Sequence, residues 1–145
     1  ERDVRCLLHQ CKYNIFDREP ETDGLLRQAK EAGSGFIAYS PLCQGLLTDR
    51  YLNGIPDNSR AAKDFSLKQN RITPELLDKI RDLNNIAAQR GQTLAQMATV
   101  WDLRNTLTSV ILGASRPQQI IENVQALAHA DFTADELARI DEILA

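Results

Sequence analysis

Ser115 and Arg116 place a hydroxyl and a guanidinium between an apolar run, Val110-Ile111-Leu112, and a helix start. Pro117 marks that start, and Ile120, Ile121 and Val124 supply an apolar stripe at helical spacing. The run breaks at Gly113, so the chain passes from a β-branched strand into a helix within a few residues. The first N–H groups of a helix lack intrahelical partners and, beside a hydroxyl and a guanidinium, form a natural seat for a phosphate. Taken alone this is one β-α unit, and many such units bind no phosphate. Other chemistries find less support. The chain has no Gly-x-Ser-x-Gly elbow, no Walker loop and no pair of histidines at metal-ligand spacing. The acid pairs Asp135-Glu136 and Asp141-Glu142 read as the solvated face of a C-terminal helix.

The elements that must position these residues alternate. Val4 to Gln10 reads as a first strand, followed by a loop through Pro20 and a helix over 23–32 that Gly33 closes. Gly35 to Tyr39 reads as a second strand, broken by Ser40-Pro41. Residues 45–72 look irregular, with Tyr51 and Leu52 as expected anchors. Thr73-Pro74 opens a helix with its stripe at Leu76, Leu77, Ile80, Leu83 and Ile86, ended by Gly91. Thr93 with Gln96 and Thr133 with Glu136 are capping boxes, and Phe132 with Leu137 reads as a hydrophobic staple. A third strand over 109–112 and a helix over about 117–128 lie between those two helices. Strands separated by helices imply a parallel sheet. Three strands leave open edges and two faces to cover, so the chain reads as part of a larger α/β architecture. A (β/α)8 barrel takes roughly 250 residues, and three units plus a helix fit its last portion.

Composition narrows the partners. The chain has 145 residues, a formal net charge of −3 and dispersed lysines and arginines, which gives no footprint for nucleic acid. Its apolar runs are far short of a membrane span, and the charged stretch Glu-Arg-Asp-Val-Arg is not expected to act as a signal peptide. Cys6, Cys11 and Cys43 have no Cys-x-x-Cys spacing, which suits a reduced cytoplasmic chain with thiols serving as small core hydrophobes.

Four collinear segments then become specific: Gln10-Cys-Lys-Tyr-Asn14, Tyr39-Ser-Pro-Leu-Cys-Gln-Gly-Leu-Leu-Thr48, Gly54-Ile-Pro-Asp-Asn-Ser-Arg60 and Leu112-Gly-Ala-Ser-Arg-Pro-Gln-Gln-Ile-Ile-Glu-Asn123. With Trp101-x-Leu103 between them, the chain resembles the C-terminal portion of the aldo/keto reductases. The resemblance covers nearly all of residues 1–145. It is nearest to the branch of bacterial glyceraldehyde-3-phosphate and aldehyde reductases and potassium-channel β subunits.

The resemblance implies an α/β fold, a partial (β/α)8 barrel comprising strands 6–8 and an extra C-terminal helix, with the N-terminal half absent. It also implies NADPH as cofactor. Gln10 corresponds to the glutamine that holds the nicotinamide carboxamide, an amide suited to both donate and accept. Tyr39 corresponds to the aromatic that stacks on the nicotinamide ring. Ser40, Pro41, Leu42, Cys43, Gln44 and Gly45 correspond to the loop whose N–H groups bind the pyrophosphate; a loop that merely turns a corner is the competing reading. Arg50 and Arg60 would bring charge to the phosphates. After Gly113, Ser115, Arg116 and Gln119 would meet the 2′-phosphate and ribose, with Glu122 and Asn123 on the adenine. That basic cluster favours NADPH over NADH.

The family's catalytic tyrosine, lysine, aspartate and histidine match nothing here, so no catalytic residue is carried over and residues 1–145 alone are expected to be inactive. His9 is expected to point to the side of its strand opposite Gln10. Ser34 stands where relatives carry an apolar residue, which is expected to loosen that turn. The implied parent reduces a small carbonyl substrate, needs neither nucleic acid nor membrane, and leaves homo-oligomerisation open. The alternative is a non-catalytic NADPH-binding regulatory module like the channel β subunits.

Overall fold

A computed structural model of the chain describes residues 6–63, 66–104 and 107–145. Three parallel strands, β1 (Leu8–Lys12), β2 (Gly35–Tyr39) and β3 (Ser109–Ile111), lie side by side in chain order. Helices α1 (Glu19–Thr22) and α2 (Leu25–Glu31) connect the first two strands, and α3 (Pro74–Gln89) and α4 (Leu94–Leu103) the last two. Helices α5 (Pro117–Gln125) and α6 (Ala134–Leu144) follow.

Register sorts the strand residues into two faces. Lys12, Tyr39 and Ile111 form one row, and Gln10, Ile37 and Ser109 the row behind it, all on the same face. Phe36 and Ala38 point the other way and are buried, with Val110 packed against the same core. His9 lies on that second face, its ring 5.5 Å from Phe36, as expected from Gln10 facing away. The helices cover this second face only. On the first face Leu8 is 56%, Tyr39 40% and Ile111 47% exposed. Parallel sheets are ordinarily covered on both faces, so this uncovered apolar surface is the main departure from a self-sufficient domain. A Cβ at Gly35 would come within 2.7 Å of Leu8 Cδ2, the end of an exposed side chain that would have to move aside.

The core is built around α4, which is buried nearly all round, and the inner stripe of α3 at Ile80, Leu83, Ile86 and Ala87. Trp101 is the pivot. Tyr13 stacks on it at 5.5 Å, and the Arg104 and Arg18 guanidinium carbons lie 3.2 and 5.0 Å from its ring centroid. Glu21 bridges both arginines, at 2.6 Å from Arg104 and 3.0 Å from Arg18, and accepts the Tyr13 hydroxyl hydrogen. Arg18 also reaches Asp141 at 2.6 Å, tying α6 to the same cluster.

Several expectations need adjustment. The first strand is described at Leu8–Lys12, not from Val4, which lies outside the described residues. Its ladder runs past Gln10 because the Tyr13 N–H donates to the Tyr39 carbonyl at 3.4 Å; a lysine and a tyrosine disguise that end as loop. The segment through Pro20 holds the short helix α1, since proline presets a first helical turn. Ser34 does not loosen its turn: its hydroxyl donates to the Cys6 carbonyl at 2.6 Å. Of the acid pairs, Glu136 binds Arg90 and Asp141 binds Arg18, so the C-terminal helix is not simply a solvated face. Among the thiols only Cys43 is a core residue, and Cys6 is exposed. The helix expected over 117–128 ends at Gln125 and continues as a 3-10 turn, Ala126–His129. Its stripe is not a packing face here, for Ile120, Ile121 and Val124 are all exposed. Both capping boxes form as read, and Tyr51 anchors the long segment.

Candidate dinucleotide site

The C-terminal tips of the three strands share one edge of the sheet, the edge from which parallel α/β folds present ligand-binding loops. Gln10 and Tyr39 lie on adjacent strands and on the same uncovered face, Tyr39 at the tip and Gln10 one row back. Both side chains are exposed. An amide and a flat aromatic ring thus stand on one surface with their faces free.

Beyond Tyr39 the backbone turns sharply. Ser40, Cys43 and Gln44 have φ of 62, 44 and 60°, and Gly45 has 96°. Three of these four left-handed residues carry a Cβ, each at a cost of about 1–2 kcal/mol. Cys43 and Gly45 N–H donate to the Ser40 and Leu42 carbonyls at 3.0 and 2.8 Å, and Leu46 and Leu47 N–H close onto Cys43 and Leu42. The Leu42 and Gln44 N–H groups stand outside that set. Pro41 and Cys43 are buried beneath the loop, while the Gln44 side-chain oxygen is buried with no protein partner. Burial, with Asp17 beside it, pushes the Cys43 thiol up to about 11, so it is a neutral packing group and not a nucleophile.

The loop leans on the turn after β1. Asn14 is completely buried and its amide is saturated. It donates to the Ser40 carbonyl and to Asp17 Oδ2, each at 2.9 Å, and accepts from the Phe16 and Asp17 N–H groups at 3.0 Å. Lys12 pairs with Asp17 at 3.0 Å. Burial would raise the Asp17 carboxyl, but Lys12 and the Asn14 amide outweigh it and hold the group below its ordinary value. Sequence reading gave Asn14 and Asp17 no role of their own, because the partner that ties each to the loop, Ser40 and Cys43, is remote in the chain.

The start of α5 carries Ser115 and Arg116, both exposed. The N–H groups of Ser115 and Arg116 just before the helix are not open, contrary to the seat expected from the sequence. Gln119 reaches back, and its side-chain oxygen accepts from Ser115 N–H at 2.8 Å, Arg116 N–H at 3.2 Å and the Ser115 hydroxyl at 3.2 Å. A phosphate at this point would meet the Arg116 guanidinium, or exchange places with the Gln119 amide. Glu122 is exposed on the same helix, its carbonyl held by Gln96, and Asn123 is half-buried. Gly113 is exposed between β3 and α5. Arg50 is tied to Asn58, at 2.8 Å to its side-chain oxygen, whereas Arg60 is exposed with no ion pair among the described residues. No hydrogen bond or ion pair among the described residues joins either arginine to the 113–123 group.

Two further groups bear on chemistry. Tyr13 is locked between Glu21 and Arg104, and burial and the Glu21 carboxylate both raise its hydroxyl pKa, so it is poorly placed as an acid. Asp102 on α4 is fully buried with neither carboxylate oxygen partnered, and burial pushes its carboxyl up to about 9. No ligand can reach it. Among the described residues no group of three His, Cys, Asp or Glu could hold a metal, and no helix is long and apolar enough to cross a membrane.

Known proteins are similar to this chain in sequence and in fold. L-glyceraldehyde 3-phosphate reductase of Escherichia coli (strain K12) is 45% identical over 148 residues, covering 98% of this chain and 42% of that protein. A Schizosaccharomyces pombe protein assigned as a voltage-gated potassium channel subunit beta is 43% identical over 141 residues, covering 93% and 41%. The structure of a glycerol dehydrogenase from Gluconobacter oxydans superposes with a TM-score of 0.76 at 26% identity, over 98% of this chain and 43% of that one. The chain therefore spans well under half the length of the relatives it matches. The family model described as "Aldo/keto reductase family" matches residues 1–145. From its three-stranded parallel sheet to the motifs at the strand tips, this chain belongs to the aldo/keto reductase family.

Proposed function

We propose that residues 1–145 are the cofactor-binding, C-terminal portion of an NADPH-dependent reductase of aldehydes or ketones. In this reading β1, β2 and β3 are the sixth, seventh and eighth strands of a (β/α)8 barrel, and the catalytic residues lie on the other half. The observation that carries it is the uncovered sheet face, with Gln10 and Tyr39 one row apart on adjacent strands and the Ser40–Gly45 loop leaving directly from Tyr39. Five further β-α units would cover that face and the exposed stripe of α5.

The available groups suit the cofactor. Gln10 would orient the nicotinamide by its carboxamide, and the Tyr39 ring would support one face so that the other meets the carbonyl. Leu42 and Gln44 N–H groups would meet the pyrophosphate, with Arg50 and Arg60 adding charge. Ser115, Arg116 and Gln119 would hold the 2′-phosphate, and Glu122 and Asn123 the adenine. Arg116 has no ion pair among the described residues, so its guanidinium is available for a dianion. When bound, NADPH supplies the hydride that reduces the carbonyl carbon. A reduced cytoplasm suits the free thiols. The potassium-channel relative supports a second reading, a regulatory module that binds NADPH without turnover.

Fluorescence titration of the full protein with NADPH and NADH tests the site. Arg116→Ala is expected to weaken NADPH roughly tenfold while leaving NADH unchanged, the loss of one charge-assisted contact. Equal losses for both cofactors would overturn the 2′-phosphate assignment. Aldehyde-dependent NADPH oxidation by the full protein separates the reductase from the regulatory reading.

A further inference from the structure

The Ser40–Gly45 loop holds three non-glycine residues in the left-handed region, and such backbone persists only where its surroundings over-determine it. Its internal hydrogen bonds tie the loop to itself and leave its placement above the sheet unspecified. One side chain from another element is bonded to the loop's first residue. Asn14, 26 positions earlier in the chain, donates to the carbonyl of Ser40, the left-handed residue at which the backbone departs from β2.

We propose that Asn14 is the positioning residue of this loop: it sets the backbone of Ser40–Gly45 in the shape that receives the dinucleotide's pyrophosphate, without touching the cofactor. The inference rests on the cofactor reading above. Residue type supports the role. An amide has two donors and two acceptors, and all four are used here, two accepting from the 14–17 turn, one donating to Asp17 and one crossing to Ser40. Aspartate could keep the acceptors but would set a second carboxylate against Asp17. Serine could cap the turn but is too short to reach Ser40. The Lys12–Asp17 pair braces the same turn from the strand side, so the amide has little freedom to swing away. Cys43 reinforces the contact, its Sγ 3.6 Å from Asp17 Oδ2.

The test uses the full protein with Asn14→Ala and Asn14→Ser, titrated with NADPH and with adenosine 2′,5′-bisphosphate, which lacks the pyrophosphate bridge. A disordered loop must be re-formed on binding, so both variants are expected to lose roughly tenfold or more in NADPH affinity, the scale of one strained residue. Affinity for the bisphosphate should hold. Adding Ser40→Gly should restore part of the loss, because glycine adopts the left-handed conformation without help. Unchanged NADPH binding in folded variants would overturn the proposal. So would a parallel loss for both ligands, or failure of both variants to fold, since Asn14 would then serve the whole fold. Wild-type protein that binds no NADPH would instead overturn the cofactor reading and take this proposal with it.

Discussion

Asp102 gives the most demanding test of the packing. Its carboxylate sits on α4 with no exposed surface and no hydrogen-bond partner for either oxygen. Burial raises its pKa from an ordinary 3.8 to about 9, against a weaker pull from Arg104. The sign follows from linkage. A carboxyl that is neutral when folded and ionised when unfolded stabilises fully below the unfolded value, and loses that stability as pH climbs toward the folded value. Each pH unit in that window removes about 1.4 kcal/mol, so by pH 7 the site has forfeited on the order of 4 kcal/mol. Asp102→Ala removes the titration and leaves a small void, whose cost does not vary with pH. Urea unfolding at pH 5.5 and pH 8 should therefore show wild type losing about 3 kcal/mol more than the variant between the two. Parallel pH profiles for the two proteins would refute the burial of an unpaired carboxyl at this position.

Two other outcomes follow from the same structure. Glu21→Ala leaves Arg104 and Arg18 without their shared anion beside Trp101, and should lower stability by about 2–3 kcal/mol in thermal unfolding, with a change in near-UV dichroism of the tryptophan. Wild-type stability in that variant would mean that the cluster is only surface decoration. Residues 1–145 alone should show no aldehyde-dependent NADPH oxidation, and measurable turnover would mean that the proton donor lies within this chain.

The helices were the most legible part of the chain because their signals are local. Thr73 before Pro74, Thr93 with Gln96 and Thr133 with Glu136 each cap the helix they announce, since a capping hydroxyl needs only the N–H three residues on. Strand ends were less legible. Lys12 extends β1 because it pairs with Tyr39 across the sheet, and no neighbouring residue encodes that. The candidate site divides in the same way. The Ser115–Arg116 helix start was read from residue type and spacing, whereas Gln10, Tyr39 and the 40–45 loop were named through the resemblance to the family. Asn14 was part of a family segment but was given no role, for its meaning is a bond to a carbonyl on the next loop.

The amino-acid order by itself determined the alternation of strands and helices, the caps, the turn glycines and the family motifs, all set by contacts within a few residues. Tertiary structure decided which sheet face stays bare, that the apolar stripe of α5 meets solvent, and that Gln119 takes up the N–H groups beside Ser115. It also decided that Asp102 is buried without a partner. These outcomes depend on which surfaces meet across the sheet and between helices, and that is a property of packing at long range, where no local pattern carries the information.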